Sequence, residues 1–200
     1  LWQSGPAADV TNATSDVTIG MREDAGDFNV FAASSTQTSL KLAADALESQ
    51  TEVGVSGAGL KTINLAGTTT VLPNGDREGR VTLVDVDAAG SGISSGGTIT
   101  TLNIETAGII DVKAQDIDSV KTVNLDSASG FTSKVFVNTL TRFNGGDGND
   151  QLQIQDGLAS LTKDFVFEGG AGTDMLYLNF NATGSDTSFV LVGSGEMTFT

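Results

Sequence analysis

Apolar and polar positions alternate along this chain in short blocks that recur. Leu60-Lys61-Thr62-Ile63-Asn64-Leu65 returns as Ile99-Thr100-Thr101-Leu102-Asn103-Ile104, as Val120-Lys121-Thr122-Val123-Asn124-Leu125, and as Leu140-Thr141-Arg142-Phe143-Asn144-Gly145. Val81-Thr82-Leu83-Val84-Asp85-Val86 fills the gap, with Asp85 in the Asn position. The polar positions 64, 85, 103, 124 and 144 are spaced by 21, 18, 21 and 20 residues, and Glu168 follows after 24. A period of two is the signature of a strand with one buried face. Each repeat holds about two such segments, for example Thr101–Glu105 and Ile109–Lys113, with Leu102, Ile104, Ile110 and Val112 on the apolar side.

One repeat cannot bury its apolar face alone, whereas stacked repeats share a continuous core. The pattern therefore predicts an all-β chain, a right-handed parallel β-solenoid with coils of about 18–24 residues. Nine coils about 4.8 Å apart would make a rod on the order of 40 Å long. The Asn series would then stack in register, its amides hydrogen-bonding along the rod. Residues 1–54 form irregular N-terminal coils, 55–138 the regular repeats and 139–200 a glycine-rich C-terminal part. Towards the start, Asp16–Ile19, Phe28–Phe31 and Leu40–Leu42 look like strands without aligning cleanly. Ala43–Gln50 has helical propensity, yet strand and turn fit better between flanking repeats.

Composition narrows the function classes. Gly, Thr and Ser supply 25, 25 and 18 residues, against two prolines, which suits short strands joined by tight turns. The net charge of −15 argues against nucleic acid, whose phosphates call for a basic stripe. No cysteine and no histidine occur, so there is no thiolate zinc site and no Ser-His-Asp or Cys-His relay. No apolar run reaches the roughly 20 residues of a membrane-spanning helix. Gly92-Ile93-Ser94-Ser95-Gly96 matches a hydrolase nucleophile elbow, but that motif requires a histidine partner. Asn12-Ala13-Thr14 and Asn181-Ala182-Thr183 fit glycosylation acceptors, which are frequent by chance in Thr-rich chains. Thr-x-Thr pairs keep no single period, which disfavours ice binding. Paired carboxylates for sugar cleavage lack an aromatic platform. The expectation is a chain without catalysis of its own.

The candidate chemistry lies in two nonapeptides. Gly145-Gly146-Asp147-Gly148-Asn149-Asp150-Gln151-Leu152-Gln153 fits G-G-x-G-x-D-x-U-x, and so does Gly169-Gly170-Ala171-Gly172-Thr173-Asp174-Met175-Leu176-Tyr177. Glycine permits positive φ and lets carbonyls crowd together. The aspartate adds anionic oxygen, and calcium takes six to eight oxygen ligands. Carbonyls at the first, third and fifth positions can converge, which names Gly145, Asp147 and Asn149 in one turn and Gly169, Ala171 and Thr173 in the next. The carboxylates of Asp150 and Asp174 complete the set. A 24-residue coil would place the two turns one above the other, with Ca2+ between them. Phe143, Phe167 and Leu191 correspond at this spacing, as do Leu152, Leu176 and Thr200, and a degenerate third turn starts at Gly193. Glu23–Asp27 and Asn74–Asp76 are further acidic turns, better explained as solvated loops.

The nonapeptides resemble the RTX (repeats-in-toxin) family over residues 143–180. Typical RTX rolls alternate motifs nine residues apart between two edges, whereas this chain has two at 24, which implies one ladder of about one to three ions. The Thr-[Ile/Leu/Val]-Asn-[Leu/Ile] repeats, over about residues 55–200, look like surface-layer (S-layer) proteins of Gram-negative bacteria. Together the resemblances imply a type I-secreted, extracellular protein of the cell surface. It would be a structural segment of a calcium-dependent S-layer lattice. Its partners would be further copies or flanking solenoid domains, with cell-surface polysaccharide as another candidate. The alternatives are the stalk or ligand-binding region of an RTX adhesin, or the C-terminal roll of a secreted protease or lipase.

Overall fold

The computed structural model describes residues 1–4, 8–71, 79–86, 97–138, 140–154, 161–178 and 190–191. Among them there are seventeen strands and no helix. In chain order these are β1 (Trp2–Gln3), β2 (Val10–Ala13), β3 (Thr18–Arg22), β4 (Phe28–Ala32), β5 (Ser39–Leu47), β6 (Gln50–Ser56), β7 (Thr62–Thr69), β8 (Arg80–Asp85) and β9 (Thr101–Thr106). They continue as β10 (Asp111–Asp116), β11 (Thr122–Ser127), β12 (Thr132–Val137), β13 (Leu140–Asn144), β14 (Asn149–Ile154), β15 (Leu161–Glu168), β16 (Met175–Leu178) and β17 (Val190–Leu191).

Odd-numbered strands form one nine-stranded sheet and even-numbered strands an eight-stranded one, each in sequence order and parallel. The chain crosses from one sheet to the other at every corner, which makes a parallel β-solenoid. Period-two alternation sends one face of each sheet into a shared core. Leu40, Ile63, Leu102, Val123, Phe143 and Phe167 stand in one column of the odd sheet, and all are buried. Val81, Val112, Val135, Leu152 and Leu176 form the matching column opposite. Burying each such side chain contributes about 1.5–3 kcal/mol, and each column shares that gain among successive coils. Phe143 and Phe167 stack with ring centroids 5.2 Å apart, one coil above the other.

Two features depart from the simple repeat. Val81–Val86 does not continue the Asn series: β8 lies in the even sheet, with Asp85 in register with Val55. β7 pairs directly with β9, so Asn64 meets Asn103 across 39 residues. The 21- and 18-residue spacings are thus one long coil, and in-register offsets run from 17 (Val135 to Leu152) to 39. Coils of about 18–24 residues hold for most of the rod but not here. The apolar phase of β8 matched the motif, yet alternation alone cannot tell which sheet a strand joins. The Ala43–Gln50 segment is strand through Leu47, because β3 and β7 pair with β5 from both sides and override helical propensity. An irregularity in register between Ala44 and Leu47, with Ala46 at φ 47°, marks where the pairing is interrupted.

Candidate calcium corner and asparagine ladder

On the outer face of the odd sheet the predicted Asn column is present. Asn103 donates through Nδ2 to Asn64 Oδ1 at 2.8 Å, Asn124 to Asn103 at 2.7 Å, and Asn144 to Asn124 at 2.6 Å. Asn64 in turn donates to the Leu40 carbonyl at 3.4 Å. Glu168 stands next in the column, and Arg142 closes the series by donating to Asn144 Oδ1 at 3.2 Å and Glu168 Oε1 at 2.8 Å. Each amide is both donor and acceptor, so a stack satisfies itself and needs no ligand.

The two nonapeptide turns are corners leading from the odd sheet to the even one. The first joins β13 to β14 and the second β15 to β16. They lie one above the other: Gly145 N donates to Glu168 O at 2.6 Å, Ala171 N to Gly146 O at 2.9 Å, and Thr173 N to Asn149 Oδ1 at 2.8 Å. This close stacking explains the glycines. Gly170 and Gly172 have φ of 89° and 113°, and a β-carbon on either would overlap the carbonyl oxygen of Gly146 or Gly148 below. A β-carbon on Gly145 would likewise meet the Gly169 carbonyl oxygen and, at 2.6 Å, Asp150 Oδ2.

Asp150 and Asp174 are fully buried at the entry to β14 and β16. Asp150 Oδ2 accepts from Gly146 N at 2.8 Å and Oδ1 from the Ser127 hydroxyl at 2.5 Å. Asp174 Oδ1 accepts from Asp150 N at 3.0 Å, while its Oδ2 is buried with no hydrogen-bond partner. Burial pushes the Asp150 carboxyl up to about 6, against the pull of the Ser127 and Gly146 hydrogen bonds. Burial also raises Asp174, opposed by the Asp150 N–H. Two stacked buried carboxylates, one with an unpaired oxygen, make a site short of positive charge.

The other predicted ligands lie around this pair. Gly169 is buried, Gly145 and Asn149 are half-buried, and Asp147, Ala171 and Thr173 are exposed on the corner surface. Gly145, Gly169, Asp150 and Asp174 are brought together at the stacked corners. Among the described residues no three acidic side chains cluster. A cation here would therefore rest on backbone oxygens and these two carboxylates, the donor set suited to a hard ion. The third turn from Gly193, Thr200 and Asn74–Asp76 lie outside the described residues. In the Glu23–Asp27 turn, Ala25 O accepts from the Ser49 and Thr51 hydroxyls and Asp27 Oδ1 accepts from Glu52 N.

Serines below the motif were missed. Ser127 supplies its hydroxyl to Asp150 and to Gly148 N, and Asp147 N donates to its carbonyl. Ser133 stands in register with Asp150, fully buried with an unpartnered Oγ. A serine replaces the aspartate in that column, so the carboxylate ladder stops at Asp150. Val123 pairs with Phe143 and Ser133 with Asp150, yet the first coil takes ten residues between these columns and the second seven, which hid the correspondence. Asp85, also buried, has an unpartnered Oδ2 and a carboxyl raised by burial, far from the corners in the even sheet.

No protein-family model, no curated protein and no solved structure matches the chain. Among the described residues no helix is long and apolar enough to cross a membrane.

Proposed function

We propose that this chain is a structural segment of a secreted bacterial surface protein, of the S-layer kind, whose rod is locked by calcium between its glycine corners. The observation that carries this reading is the buried, unpartnered Asp174 Oδ2 above a second buried carboxylate, Asp150, at two stacked glycine turns. An unpaired buried carboxylate oxygen costs several kcal/mol, and a bound divalent cation removes that cost. Gly145, Asp147, Asn149 and Asp150 of one corner and Gly169, Ala171, Thr173 and Asp174 of the next are the residues that would hold it. Calcium supplies charge compensation and ties one coil to the next. The chain's own part is to present oxygens from a turn so tight that only glycine fits at positions 170 and 172. Because the corner geometry does not exist in the unfolded chain, binding free energy becomes folding free energy. An acidic rod with most polar groups satisfied internally is suited to bearing load and joining other rods.

The test is a calcium titration followed by thermal melting and by light scattering, with magnesium as control. Extracellular modules bind calcium with dissociation constants of about 10⁻⁴–10⁻³ M, so the melting midpoint should climb across that range and not with magnesium. Growth of ordered assemblies in the same range supports the lattice role. A midpoint indifferent to calcium up to about ten times that range would sink the metal site, and a rise without assembly would sink the lattice.

A further inference from the structure

The edge of the rod opposite the glycine corners, where even strands lead to odd ones, is held by hydroxyls. Thr98 Oγ1 donates to the Leu60 carbonyl at 2.6 Å, and Ser119 Oγ to the Ile99 carbonyl at 2.7 Å. Each hydroxyl lies just before an odd strand, β9 or β11, and bonds to the coil that precedes it. Asp85, the last residue of β8, departs from this order. It pairs with Val55, which pairs with Val30, so a carboxylate continues a column of two fully buried valines.

Asp85 is 8% exposed, and its Oδ2 is buried with no hydrogen-bond partner. Burial raises its carboxyl. Oδ2 faces Gly97: a β-carbon there would lie 2.5 Å from it and 2.6 Å from Ser119 Oγ. The two oxygens are therefore at most about 5 Å apart, and the missing side chain of Gly97 leaves room beside both. A serine hydroxyl has one hydrogen, and that of Ser119 goes to the Ile99 carbonyl. Ser119 thus meets the carboxylate as a second acceptor. Two oxygens, one charged and buried, converge with no hydrogen between them, which calls for a positive charge. Oxygen donors suit a hard cation, and this span suits an ion about 2.3–2.6 Å from each, the calcium range. Magnesium binds at about 2.0–2.1 Å in a strict octahedron and fits it less well.

We infer that Asp85 and Ser119 hold a calcium ion on the edge opposite the glycine corners, joining the end of β8 to the turn before β11. The ion would tie the long coil, where Asn64 meets Asn103 across 39 residues, to the coil that follows. Asp150 and Asp174 take no part, so the inference stands apart from the proposed corners.

Calcium counted by equilibrium dialysis of the full chain tests it, with circular dichroism to confirm that each variant is folded. Asp85→Val completes the valine column and should fold, yet bind one ion fewer per chain. Asp85→Asn, closer in shape, should show the same deficit. Ser119→Ala should weaken that ion about tenfold, while Ser119→Thr, which keeps the hydroxyl, should retain it. Asp174→Asn should remove calcium in addition, so that its deficit and that of Asp85→Val sum in the double variant. An unchanged count in either folded Asp85 variant overturns the site, as does a chain that binds no calcium at all. Non-additive deficits overturn its independence of the corners. Full affinity in Ser119→Ala overturns the bridge between coils, and magnesium displacing this ion at equal concentration overturns the choice of metal.

Discussion

The asparagine ladder and the glycine corners are two answers to the same requirement, that every coil of a parallel solenoid present like groups to the next. In the ladder the repeated group is an amide, which is donor and acceptor at once, so Asn64, Asn103, Asn124 and Asn144 stack without external help. In the corners the repeated group is a carboxylate, which only accepts. Asp150 obtains donors from Ser127 and Gly146, whereas Asp174 is left with one oxygen unmatched. Self-complementary groups make a solenoid complete in itself. Like-charged groups leave it with a buried oxygen unmatched, which under the proposed function is what a counter-ion meets.

The largest effect that separates the two regions should come from Asp174→Asn. At calcium a hundredfold above the dissociation constant, binding stabilises a fold by about 2.7 kcal/mol, and this variant should lose most of it. With chelator present the same change should be neutral or stabilising, because it removes a buried charge without a partner. Asp150→Ala should resemble it in calcium response, and Asp164→Ala, away from the corners, should leave that response unchanged. Denaturation with and without calcium measures both, and equal loss of calcium response in all three variants would dissolve the distinction.

A smaller effect is expected from Asn103→Leu, which takes two hydrogen bonds out of the middle of the ladder. The cost should be about 1–2 kcal/mol and the same with and without calcium. A calcium-dependent cost would show that ladder and corners are one cooperative unit.

A further effect is in pH, and its sign follows from Asp150. Its carboxyl is raised by burial from 3.8 in the unfolded chain to about 6 in the folded one, so between those values the folded state holds more protons. Stability of the calcium-free chain should therefore rise as pH falls from 7 through about 6 and level off near 4. Asp174, raised in the same direction, adds to the trend. Urea midpoints in chelator at several pH values would show it, and Asp150→Asn should flatten the curve.

Much of this molecule was legible without coordinates. The period-two blocks specified strands, their recurrence specified stacking, and the Asn positions specified a ladder that formed with the expected partners, except at Asp85. Side-chain alternation and turn chemistry are local properties, set by the pleat and by which residues tolerate positive φ. Assignment of each strand to a sheet is not local. Val81–Val86 matches the motif yet belongs opposite, because coil length is free wherever a corner can lengthen. For the same reason Ser133 stands below Asp150, and Phe136 comes level with Tyr177 across 41 residues. Which residues could face the core and which turns had to be glycine follow from local pattern, and were already readable along the chain. Which side chains meet on an outer face and which buried oxygen lacks a partner came from the folded coils alone, since both depend on register summed over whole coils.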